Sequence, residues 1–150
     1  MKLLRNLART IVAHPYLQRS ENLGGYRGIV LWWESRRVPY NLAVGITGLL
    51  SAFICWGCAS LVEVSGKFEE SLFPDPPLFV IFFVVLYAVG ANVCYTAGWI
   101  VECLLYAAGR KDDPFFGPLT FALGTTFSLL LTLAPAILLI GAALVILAKP

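Results

Sequence analysis

The chain has 150 residues, of which 59% are hydrophobic and only 13% charged, and its mean hydropathy is +0.79. The charged share is about half that of an average soluble domain, and one soluble domain of this length has no interior large enough for so much apolar surface. The length fits one bundle and excludes a second large domain, and the formal charge of +2 hides a steep gradient along the chain.

Residues 2–14 form a basic amphipathic pattern. Leu3, Leu4, Leu7, Ile11 and Val12 recur at helical spacing, with Lys2, Arg5 and Arg9 on the remaining face. Such a helix lies on a membrane surface, its apolar face in the acyl boundary and its cations near anionic headgroups. Pro15 ends it, since proline cannot donate the next helical hydrogen bond. The apolar stretch is broken by Arg9 and His14 and lacks a small-residue cleavage site, so a cleavable signal peptide is not expected. Lipidation motifs are absent from both ends.

Residues 18–28 read as a loop, with Ser20, Asn22, Gly24, Gly25 and Gly28. Trp32, Trp33, Arg36, Arg37 and Tyr40 then crowd in front of the first apolar run. Indole rings favour the headgroup level and arginines reach for phosphate. The sequence therefore predicts a second short surface helix over 29–41 that turns into the first span at Pro39.

Three apolar runs follow, at 42–62, 77–109 and 118–148. Each matches or exceeds the roughly 20 residues a helix needs to cross about 30 Å of hydrocarbon. Inside them Glu102 is the only charge. The second and third runs correspond to about 48 Å of helix, which points to single tilted or protruding spans. Splitting the last run at Pro135 is the four-span alternative. The segment 109–114, Gly-Arg-Lys-Asp-Asp-Pro, is a helix stop.

Small residues recur in two of the runs. In the first they are Asn41, Gly45, Gly48, Ala52, Cys55 and Ala59, and in the second Ala88, Ala91, Cys94 and Gly98. Small side chains let membrane helices approach closely, so both stripes are expected to be packing seams. Thr125, Ser128, Thr132 and Pro135 share a face of the third run, where hydroxyls can meet carbonyls that the proline frees.

Seven of the eleven basic residues precede the first span: Lys2, Arg5, Arg9, Arg19, Arg27, Arg36 and Arg37. The first connector holds Lys67, the second Arg110 and Lys111, and the tail Lys149. Lys and Arg near span ends favour the cytoplasmic face, so the N-terminus is expected inside and the C-terminus outside. The acidic, proline-bearing connector 68–77 reads as stiff, with a docking role as the alternative.

Candidate chemistry concentrates on one stripe of the second run: Asn92, Tyr95, Trp99, Glu102 and Tyr106, spaced three, four, three and four residues apart. Glu102 is expected about 7 Å beyond Ala97 toward the cytoplasmic headgroups, level with Arg36 and Arg37, and hence paired with one of them. An ionisable residue inside a span marks a substrate, ion or proton path, or alternatively a structural salt bridge within an aromatic belt. Cys55 and Cys58 have dithiol spacing, but thiolate is unfavourable within a span. His14 stands alone, and no zinc, phosphate-loop or nucleophile motif points to a metal or cofactor. Tryptophans interleaved with the cations favour lipid over nucleic acid.

The stretches 32–41, Trp-Trp-Glu-Ser-Arg-Arg-Val-Pro-Tyr-Asn, and 91–98, Ala-Asn-Val-Cys-Tyr-Thr-Ala-Gly, resemble a group of small bacterial inner-membrane proteins with no assigned activity. That resemblance implies a bacterial inner-membrane location, and convergence of Tyr40, Asn41, Asn92, Tyr95 and Glu102.

The sequence thus predicts an all-α polytopic membrane protein: an interfacial segment over 1–41 and a three-helix bundle over 42–150. It points to a non-enzymatic subunit or scaffold whose partners are lipid, including anionic headgroups, and other membrane helices. The alternatives are an oligomeric transporter or channel using Glu102, and a thiol oxidoreductase using Cys55 and Cys58.

Overall fold

The computed structural model describes residues 10, 14–17, 24–66, 78–109 and 115–148. A 3-10 turn at Pro15–Leu17 is followed by three helices, α1 (Gly25–Val64), α2 (Leu78–Ala107) and α3 (Phe116–Leu147). The fold is all-α, and each of the three helices is long and apolar enough to cross a membrane. Local propensity alone does not explain α2, whose first half is rich in Val, Ile and Phe, residues that favour strands in water. In hydrocarbon the backbone must satisfy its own hydrogen bonds, and a single segment achieves that only as a helix.

Glycine closes the first two helices. Gly66 adopts φ 65° and donates to the Glu63 carbonyl at 3.1 Å; Gly109 adopts φ 88° and donates to the Tyr106 carbonyl at 3.2 Å. A left-handed residue lets the chain satisfy the last helical carbonyls. Gly109 therefore acts at the predicted stop, whose remaining residues, 110–114, lie outside the described residues.

The last run is one helix, uninterrupted at Pro135, and this excludes the four-span alternative. The first span differs from expectation. There is no separate surface helix over 29–41: α1 starts at Gly25, inside the expected loop, and passes through Pro39. The cause is visible on both sides of the proline. Trp33, Arg37 and Tyr40 all meet the Tyr95 ring, and their spacing of four and three residues fits only a helix that keeps its register. The amphipathic pattern over 2–14 and the acidic connector over 68–77 lie outside the described residues, apart from positions 10 and 14.

Two compact units emerge from the packing, one from residues 1–40 and 90–127, the other from 41–89 and 128–150. In the first, Ile29, Trp32, Trp33, Tyr40, Tyr95 and Phe121 form the buried core, together with Arg36 and Glu102. Here α1 and α2 run antiparallel: Tyr26 meets Tyr106, and Tyr40 meets Tyr95.

In the second unit the buried residues are small. Ser51, Ala59 and Val62 come from α1, and Ala136 and Ala143 from α3. Tyr87 of α2 reaches α3, its hydroxyl 2.7 Å from Thr132 Oγ1 and 3.0 Å from the Ser128 carbonyl. Thr132 Oγ1 in turn donates to the Ser128 carbonyl at 2.7 Å. A Cβ on Gly48 would lie 3.6 Å from the Thr132 methyl, an ordinary contact.

Within one chain the expected seams are buried only in part. The buried line of α1 runs through Gly48, Ser51, Cys55, Ala59 and Val62, while Gly45 and Ala52 lie exposed on its flank. On α2, Ala88 and Cys94 are exposed, and only Ala91 and Gly98 are partly covered. Residue size permits close approach at every small position, but helix rotation selects which line is used.

Candidate functional site

The first unit is built around one indole. Trp33 is only 2% exposed, and its six-membered ring lies against the α2 backbone at Gly98. A Cβ there would sit 2.7 Å from Trp33 Cη2, 3.0 Å from Cζ3 and 3.3 Å from Cζ2. Glycine is thus the one residue that leaves room for the ring. One turn further along the same face, Glu102 accepts a hydrogen bond from Trp33 Nε1 at 2.7 Å. The Tyr95 hydroxyl donates to the Trp33 carbonyl at 2.5 Å. Indole, carboxylate and phenol thereby fasten α1 to α2 across 69 residues of chain.

Aromatic rings close the surroundings. Trp33 meets Tyr95 and Phe121 edge to face, with centroids 5.3 and 6.0 Å apart. Tyr40 lies tilted on Tyr95 at 4.7 Å. These geometries suit the ring quadrupoles.

The two arginines point in different directions. Arg37 Nη2 contacts Glu34 Oε1 at 2.7 Å and donates to Thr96 Oγ1 at 3.1 Å, with its guanidinium 5.2 Å from the Tyr95 centroid. Thr96 Oγ1 in turn donates a hydrogen bond to the Asn92 carbonyl at 2.8 Å. Arg36 turns to the other side: Nη1 donates to the Trp32 carbonyl at 2.8 Å and to Ser35 Oγ at 3.0 Å, and Nη2 donates to the Tyr16 carbonyl.

No family model, curated protein or solved structure matches this chain. The site therefore stands on its own geometry.

The residues of the α2 stripe have different surroundings. Tyr95 and Glu102 are its centre, Tyr106 meets Tyr26 with centroids 5.0 Å apart, and Asn92 contributes its carbonyl. Trp99 is half-buried, and its indole nitrogen is buried with no hydrogen-bond partner among the described residues. Tyr40 joins Tyr95 directly. Asn41 is exposed and belongs to the other unit.

Of the partners expected for Glu102, Arg37 instead bonds Glu34 and Thr96, and Glu102 accepts the bond from Trp33. Among the described residues the ion pair at this end joins Arg37 to Glu34. Seating the indole in the Gly98 notch sets the helix register, and that register puts the Trp33 nitrogen beside Glu102. Reading both tryptophans as headgroup anchors missed this role. The available signal was a glycine one turn before a carboxylate on the same helix face, which leaves an indole-sized slot beside an acceptor.

Cys55, Cys58, Cys94 and Cys103 are all free thiols. Cys55 and Cys58 are half-buried on α1, and Cys94 is exposed. Among the described residues no group of three or more His, Cys, Asp or Glu side chains is placed to hold a metal.

Proposed function

We propose that this chain is a non-enzymatic integral-membrane subunit or scaffold of a bacterial inner membrane, with its N-terminus cytoplasmic and its C-terminus outside. One observation carries the reading: the two polar side chains at the heart of the stripe both bond Trp33 of α1. Glu102 accepts from the Trp33 indole, and Tyr95 donates to the Trp33 carbonyl. Groups held this way fix helix order, whereas a transport path needs polar groups free to exchange partners.

In the second unit the helices turn apolar side chains outward. Leu42, Ile46, Leu49 and Phe53 of α1, Ile81 to Leu86 of α2, and Ile137 and Leu138 of α3 are all exposed. These faces suit lipid and the helices of other subunits, including further copies of this chain. The orientation rests on the seven cations ahead of the apolar run 42–62, three of which, Arg27, Arg36 and Arg37, lie on α1 itself.

Affinity capture of the tagged chain from mild detergent tests the reading. A stoichiometric membrane-protein partner or a defined homo-oligomer is expected; a lone monomer counts against it. Ion or proton flux through reconstituted protein that disappears in Glu102→Gln would favour the channel reading instead. Rapid maleimide labelling of Cys55 and Cys58 in intact cells would favour the thiol one.

A further inference from the structure

The turn at Pro15–Leu17 is tied to α1 by one side chain. Arg36 is 9% exposed. Its guanidinium lies 4.1 Å from the Trp32 ring centroid and 5.0 Å from that of Tyr16. It also donates to the backbone carbonyls of both residues. A planar fork that bonds in its plane and stacks on its faces is something arginine provides and lysine does not. Arg36 therefore works as a buckle between the segment ahead of α1 and the helix itself.

The charge of the sequence around the turn points to a partner. Lys2, Arg5 and Arg9 precede the turn, and Arg19 and Arg27 follow it, against the single acid Glu21. Arg27 is exposed, as is the neighbouring Tyr26. Cations beside exposed aromatic rings at the end of an apolar helix match the headgroup layer of a bilayer, where each basic residue near an anionic surface gains roughly 1 kcal/mol.

We propose that the Tyr16–Arg36–Trp32 buckle fixes the Pro15–Leu17 turn against α1, and that the cations of this end of the sequence have anionic phospholipid headgroups as their partner. This inference rests on the membrane reading above. It needs no protein partner, so capture of a lone monomer leaves it standing.

The test uses the full chain in nanodiscs of phosphatidylcholine, with or without phosphatidylglycerol, and follows tryptic cleavage within residues 1–19. Slower cleavage in the phosphatidylglycerol discs is expected. In those discs Arg36→Lys, which keeps the charge, should be cleaved about tenfold faster than the parent, having lost two ring contacts and the planar fork. Equal rates in the two lipids overturn the lipid partner, and an unchanged rate in Arg36→Lys overturns the buckle. If Arg36→Lys does not fold, Tyr16→Ala leaves α1 intact and is read the same way: faster cleavage supports the buckle and an unchanged rate overturns it. Inorganic phosphate that protected the segment in neutral discs would overturn a lipid surface as the partner. Failure to insert into discs refutes the membrane reading itself.

Discussion

Substituting Gly98 by alanine tests the clasp at its tightest point. The added methyl would lie 2.7 Å from Trp33 Cη2, where non-bonded carbons settle at about 3.5–4.0 Å. The indole must retreat by close to an ångström, yet it is buried and its nitrogen is bonded to Glu102 at 2.7 Å. Overpacking of this kind costs about 1–3 kcal/mol. Losing a hydrogen bond to a charged group adds about 1.5–3 kcal/mol. Replacing glycine in a helix returns about 1 kcal/mol, so the net loss should be about 1.5–5 kcal/mol. Gly90 and Gly124 have nothing within 4 Å of an added Cβ; alanine at either should be neutral or stabilising by up to about 1 kcal/mol. Equilibrium unfolding in mixed micelles with increasing dodecyl sulfate, followed by circular dichroism, measures all three. Trp33→Leu vacates the notch, so Trp33→Leu with Gly98→Ala should be less damaging than the sum of the two single changes by at least about 1 kcal/mol. A Gly98→Ala protein as stable as the parent, or strict additivity with Trp33→Leu, would refute the notch.

Three further outcomes follow from the same geometry. Glu102→Leu strands the buried Trp33 N–H and should cost about 1–3 kcal/mol, while Glu102→Gln keeps an acceptor and should cost less; the same unfolding assay ranks them, and equal losses would contradict the hydrogen bond. Ala59 is 1% exposed and Ala52 is exposed, so Ala59→Leu should cost about 1–3 kcal/mol and Ala52→Leu under about 0.5 kcal/mol, whereas the reverse order would restore the seam expected from residue size. Tyr87→Phe removes the hydroxyl that meets Thr132 and the Ser128 carbonyl; a loss of about 0.6 kcal/mol is expected on the scale of membrane hydrogen bonds, and no change in unfolding midpoint would mean the contact adds nothing.

The three spans were legible because lipid acts on composition: twenty apolar residues suffice, whatever their order. Gly109 was legible as a stop and Pro135 as a residue the helix passes, since both effects are local to the backbone. What escaped was the register between helices. Periodicity placed Tyr95 and Glu102 on one face of α2, but it carries no information about which residue of α1 comes to meet them. That choice depends on the shape of one indole and the absence of one Cβ. The seam on α1 escaped for a related reason: Gly45 and Ala52 are as small as Gly48 and Ala59, and only the rotation of the helix separates them. The run-in at 29–41 was misplaced because Pro39 signals a break locally, while packing against Tyr95 holds the helix through it.

The Trp33–Glu102 bond joins residues 69 positions apart, and this orders events during synthesis. When the first span enters the bilayer, neither the slot nor its acceptor has yet been made. The indole must wait in the headgroup layer, which suits it, until the second span arrives. A chain truncated before residue 98 therefore carries the Trp33 indole with neither its slot nor its acceptor.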